Sequence, residues 1–232
     1  MPDYRHILWE GRRWVLTAVL LFVCGVAAGL IVSLTVPDEA LRILQPAMER
    51  LRDVGQRVAT EASPLQRTSI IFRNNGLAVL WMMLLGLFAV PFFGLVPAVG
   101  AFGNGAMIGI VVGLGPRFSP LAASPGTMLL ATLPHGIIEI PALLIGTAWG
   151  MKLGLAWLLP NASGHRMRTL GRTALEAGQI FVLVSVLLIV AAAIEANVTL
   201  ALVQGTRQAA LPTALTALSG ALTALGAAAA IL

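Results

Sequence analysis

From residue 74 to residue 116 the chain carries no ionisable side chain at all. A run this long and this apolar has no place in a soluble fold. Crossing a bilayer takes about 20 residues of helix, so the run holds two crossings. The break between them falls at residues 91–97, PFFGLVP, where two prolines remove backbone donors and restrict the residues that precede them.

The rest of the chain repeats the pattern. Residues 14–36 form an uncharged stretch behind Arg12 and Arg13. It exceeds a signal-peptide core and has no small-residue cleavage site after it, so it reads as a retained anchor helix. Residues 128–151, closed by Lys152, and residues 177–198 supply two more spans. Residues 113–126, with Pro116, Pro120 and Pro125, read as a loop, and so do residues 161–172 with Arg166, Arg168 and Arg172. Between the first two spans, residues 38–69 are polar and mixed in charge. Within them Leu41, Leu44, Met48, Leu51, Val54 and Val58 recur at helical spacing, which predicts an amphipathic helix on the membrane or against the bundle. The uncharged, Ala- and Thr-rich tail at 208–232 is either a sixth span or a helix on the surface. The expected fold is therefore an all-α polytopic transmembrane bundle of five or six spans. It forms one membrane domain over residues 1–232, with a core at 70–199.

Charge agrees with this class and orients it. Only 11% of the residues are charged, against about a quarter in soluble domains. The net charge of +5 serves orientation and headgroup contact in such a protein. No basic, water-exposed module suggests a nucleic-acid partner. Two short segments are basic: the N-terminal arm with Arg5, Arg12 and Arg13, and the stretch from Lys152 to Arg172. Four spans separate them, so both are expected on the cytoplasmic side of the cell membrane, with the N-terminus there and residues 38–69 outside. The arginines of that outer segment are balanced by Asp38, Glu39, Glu49, Asp53 and Glu61. Cys24 stands alone, so no intrachain disulfide forms.

Ionisable groups inside spans cost about 2.5–3.5 kcal/mol each on insertion scales, which makes them functional candidates. Here they are His135, Glu139 and Glu195, joined by the amides of Asn74, Asn75 and Asn104. His135 and Glu139 stand four apart and share a helix face. With the N-terminus inside, these groups gather in one polar layer toward the outer half of the membrane. Glu139, flanked by Ile138 and Ile140, needs His135, an asparagine amide or a cation as compensation. The plainer alternative has Glu195 snorkelling to the interface and His135 serving only a carbonyl freed by Pro134 or Pro141. A divalent cation on His135, Glu139 and Glu195 fits the ligand types, but no HExxH or cysteine spacing supports it, and no cofactor is expected.

Glycines recur every fourth residue at Gly25 and Gly29, at Gly105, Gly109 and Gly113, and at Gly146, Gly150 and Gly154. Small residues at this spacing let helix backbones approach in lipid. They serve packing inside the bundle or self-association, and a homodimer is expected from the number of such faces. No phosphate loop, nucleophile elbow or catalytic dyad is present, so no catalytic residue is assigned.

Three segments then carry a family resemblance: IFRNNGLAVLWMMLLGLFAVPFFGLVPAVGAFGNGAMIG at 71–109, LLATLPHGIIEIPALLIGTAWGMKLG at 129–154 and AAAIEANVT at 191–199. They resemble the stage II sporulation protein M family. The motif HG-x-x-E-x-P-A is the specific part, and the family positions fall on Asn74, Asn75, Gly100, Asn104, Gly105, His135, Gly136, Glu139, Pro141, Gly150, Glu195 and Ala196. The resemblance implies a polytopic membrane protein that, in spore formers, recruits two cell-wall-degrading partners, the sporulation proteins D and P, during engulfment. It thus implies a scaffold for envelope or peptidoglycan-remodelling partners, not a hydrolase. The residues themselves leave two other readings open. One is an oligomeric transporter or channel using the His/Glu cluster as an ion or proton path. The other is an intramembrane enzyme with Glu139 as general base.

Overall fold

Prolines set where three of the helices begin. The structure, a computed structural model, describes residues 3–61, 63–88, 94–118, 125–156, 158 and 166–196, without the side chains of 51, 59, 87–88, 115–118 and 125–135. Helices α2 (Pro37–Thr60), α3 (Pro64–Phe88) and α5 (Pro125–Leu155) each start on a proline. At that position the missing N–H would have had no helical partner anyway. Helix α1 (Tyr4–Thr35) starts behind Asp3, whose carboxylate accepts the His6 backbone N–H at 3.0 Å. Helix α4 (Leu95–Phe118) follows Gly94, which has φ 68°, a left-handed turn that glycine enters without strain. Helix α6 (Arg166–Ile194) completes the order.

Among the described residues all regular structure is helical, and five helices, α1, α3, α4, α5 and α6, are long and apolar enough to cross a membrane. The chain is an all-α, multi-pass membrane bundle. Its boundaries depart from the sequence reading in four places. The first span begins at Tyr4, so Arg12 and Arg13 lie within the helix. The amphipathic helix ends at Thr60, and residues 64–69 already belong to the next span. Helix α4 continues through Pro116 to Phe118 where a loop was expected, since one proline near a helix end removes a single hydrogen bond. Likewise Arg166, Arg168 and Arg172 are helical, the first turns of α6. The possible sixth span at 208–232 lies outside the described residues.

The spans pack as two parallel pairs. On α1 and α4, Gly105 faces the Phe22 carbonyl, Gly109 the Val26 carbonyl and Gly113 the Ser33 side chain, in rising order along both helices. Gly25 and Gly29 of α1 answer with contacts to Phe102 and Ala106. A Cβ at any of these positions would strike backbone or a short side chain, so the two backbones touch through glycine. On α3 and α5, Val79 meets Gly146, Met82 and Met83 meet Gly150, and Gly86 meets both Gly150 and Gly154. All three glycine repeats are thus engaged within one chain. The ground they offered for self-association is taken up inside the bundle.

Helix α5 is the centre. It contacts α1, α3, α4 and α6, and its Ala142, Ala148 and Trp149 are fully buried. The Trp149 ring lies where a side chain at Gly11 of α1 would have to go. Val79 and Met83 of α3 and Ile180, Val184 and Leu188 of α6 complete this core.

Helix α2 does not cross. Near its start, Ala40 and Leu44 pack on Ile110 and Leu114 of α4. Near its end, Val58 packs on Ile71 of α3 and on Ala192 and Ala196 beside the end of α6. Met48, placed on the inner face by its spacing, is 43% exposed between these two contacts. The helix therefore straps one end of the bundle and touches it at two points.

Candidate functional site

The parallel register of α3 and α5 decides which polar groups meet. The same offset that sets Gly86 against Gly150 brings Asn75 to Glu139. The Asn75 side-chain amide donates to Glu139 Oε1 at 2.9 Å, in a partly buried position. Asn74, exposed beside it, donates its own amide to Asn75 Oδ1 at 3.0 Å. The two amides run in series toward one carboxylate, and each bond polarises the next. Pro141, two residues beyond Glu139, has no N–H to give the Ile137 carbonyl, so the α5 ladder is open beside the glutamate.

Glu195, just past the end of α6, lies within electrostatic reach of Glu139. Two carboxylates and two amides thus share the end of the bundle that α2 straps. Among the described residues no hydrogen bond joins Asn104 to this group; it stands partly buried on α4. His135 is on α5 one turn before Glu139, and its side chain lies outside the described residues. No set of three His, Cys, Asp or Glu side chains among the described residues could hold a metal ion. The expected His135–Glu139 pair and the three-ligand cation site both depend on that undescribed side chain.

A second polar cluster, at the opposite end, was not anticipated. Lys152 of α5 donates to Glu176 Oε2 of α6 at 2.5 Å. Arg172 donates through Nε to Glu176 Oε1 at 3.0 Å and through its terminal nitrogen to Glu10 Oε2 of α1 at 2.8 Å. His6 Nε2 stands 3.2 Å from the other Glu10 oxygen. The Lys152 ammonium also sits 5.5 Å from the centre of the Trp149 ring. The side chains of Glu176 and Lys152 are 11% and 17% exposed, so this pair is largely buried, and Arg172 carries the ionic knot outward to Glu10 and His6 at the exposed surface, tying three helices. The i, i+4 spacing of Arg172 and Glu176 was the available signal.

Both basic segments consequently lie at one end of the bundle. From Lys152 to Glu139 is 13 positions along α5, about 20 Å at 1.5 Å per residue. The Asn75–Glu139 pair therefore lies well over halfway across a hydrocarbon core of about 30 Å, away from the basic end.

With this geometry in place, comparison with known families is decisive. Residues 18–200 match the family model described as Stage II sporulation protein M. The chain belongs to this family. The matched region takes in the second half of α1 and all of α2 to α6, hence the Asn75–Glu139 pair and the Lys152–Glu176–Arg172 part of the ionic knot, while Glu10 and His6 lie before it. Among curated proteins and among solved structures, nothing matches the chain.

Proposed function

We propose that this Stage II sporulation protein M family member is a membrane scaffold that assembles envelope or peptidoglycan-remodelling partners, and is not itself an enzyme. The observation that carries this reading is the placement of α2. It is held to the bundle at Ala40, Leu44 and Val58, while Arg42, Glu49, Arg52, Asp53 and Gln56 point into solvent. A long polar face is thereby presented at the end opposite the basic segments. By the positive-inside rule that end is extracytoplasmic and the N-terminus cytoplasmic. Wall-remodelling partners work on that side. A homodimer would have to use a face other than the glycine repeats.

Photo-crosslinking tests the scaffold directly. A cross-linking residue at Arg52 should capture an envelope protein from native membranes, and one at the lipid-facing Val112 should not. If Arg52 yields no envelope protein above the Val112 level, the scaffold reading fails.

One observation favours a second reading. A carboxylate joined by an amide inside a membrane, with a second carboxylate in reach, is the kind of group that handles ions or protons. Proteoliposomes of wild type and Glu139→Gln would show a flux difference if the site conducts. Equal fluxes leave the pair a structural one.

A further inference from the structure

The strapped end of the bundle also carries a groove on its membrane-facing side. It measures about 320 Å³ and runs between α3 and α6. Phe72, Leu77 and Leu80 of α3 and Phe181 of α6 line it, and Arg73 and Ser69 stand at its upper end. The floor is open beside the Phe72 ring because residue 76 is glycine.

Three features of this groove specify an occupant. The first is charge. Arg73 is the last ionisable residue before the long uncharged run, is exposed, and has no carboxylate partner among the described residues. Glu139 is engaged by Asn75 and does not line the groove. The second is chemistry along the axis: a cation and a hydroxyl at the top, then only aliphatic and aromatic side chains below. The third is length. Ser69 to Leu80 spans 11 positions, about 16 Å of helix, which matches one leaflet of a hydrocarbon core about 30 Å thick.

We infer that this groove binds an anionic glycerophospholipid of the leaflet at the α2 end, with its phosphate on Arg73 and one acyl chain along Leu77, Leu80 and Phe181. With the phosphate on Arg73, seven positions of α3 remain down to Leu80, about 10 Å, a stretch within one leaflet that an acyl chain follows and that a polyprenyl chain would far exceed. A zwitterionic lipid satisfies the groove but leaves the excess charge of Arg73 unanswered.

Native mass spectrometry of the full chain in mild detergent tests this. The probes are phosphatidylglycerol, phosphatidylcholine of the same acyl chains, and undecaprenyl phosphate, each added at equal concentration. Phosphatidylglycerol should be retained about fivefold more than phosphatidylcholine, the effect of one basic residue near a charged surface. Arg73→Gln should bring that ratio close to one. Arg57→Gln, which removes an exposed arginine of α2, should leave it unchanged. Leu80→Trp should fill the groove and lower retention of both glycerophospholipids. Equal retention in the wild type, a preference that survives Arg73→Gln, or undecaprenyl phosphate displacing phosphatidylglycerol would each overturn the inference. So would a dimer that Leu80→Trp abolishes, because the groove would then be a protein interface.

Discussion

Asn75 and Glu139 lie 64 residues apart in sequence and 2.9 Å apart in space, amide to carboxylate, across two parallel spanning helices. Removing either partner leaves the other half-buried without its bond, while removing both leaves nothing to compensate. Asn75→Ala and Glu139→Ala should each lower thermal stability in detergent, and the double variant should lose less than the sum. The expected coupling is about 1 kcal/mol, within the range of interhelical hydrogen bonds in membranes. Glu139→Gln, which keeps an acceptor oxygen, should be milder than Glu139→Ala. Strict additivity in the double-mutant cycle would mean that the bond carries no weight.

Glycine contacts give a sharper contrast. Gly105 and Gly103 are two residues apart on α4, yet a side chain at Gly105 would meet the Phe22 carbonyl, while one at Gly103 meets nothing within 4 Å. Backbone cannot yield as a flexible side chain can. Gly105→Ala should therefore cost about 1–3 kcal/mol, the usual range for overpacking, and Gly103→Ala should be close to neutral. Unfolding curves in mixed micelles would separate them, and equal effects would contradict the backbone contact between α1 and α4.

Much of this architecture was legible before any coordinates. The uncharged run forced two spans, and the period of Leu41, Leu44, Val54 and Val58 marked α2 as amphipathic. Local signals suffice for that, because hydropathy and helical period are properties of neighbours in sequence. Partner choice is not such a property. The Asn75–Glu139 bond depends on the register between α3 and α5, fixed by Gly86 against Gly150, which no local pattern contains. The ionic knot was missed for a related reason. Glu176 falls between the loop read at 161–172 and the span read at 177–198, whereas helix α6 starts ten residues before it, at Arg166, and carries it inside the bundle.

That knot yields its own prediction. Glu176 accepts from both Lys152 and Arg172 and is 11% exposed, so its loss strands a lysine that is 17% exposed. Breaking one side of a buried pair typically costs about 3–5 kcal/mol. Because Lys152 retains some exposure and its Trp149 contact, Glu176→Ala should fall at the lower end, about 3 kcal/mol. Lys152→Met combined with Glu176→Leu should recover part of that loss, since well-packed apolar groups replace an ion pair at little net cost. Failure of the double variant to exceed Glu176→Ala in melting temperature would show that Arg172, not Lys152, is the partner that matters.

Orientation is the last point that measurement decides. The N-terminal part of α1 and the first turns of α6 meet through Glu10 and Arg172 at one end, while α2 straps the other. Basic residues prefer the cytoplasmic side, so Arg5, Arg12, Arg13, Arg166 and Arg168 should face the cytoplasm together. Cys24 is the single cysteine, and a Cys24→Ala background leaves a clean chain for probes. Gln56→Cys lies on the exposed face of α2, and Gly171→Cys is exposed near the start of α6 with open space around it. In intact cells an impermeant maleimide should label position 56 and leave position 171 unmodified until the membrane is opened. The reverse pattern would turn the bundle over, place Asn75 and Glu139 in the cytoplasmic half, and remove the α2 face from any partner in the wall.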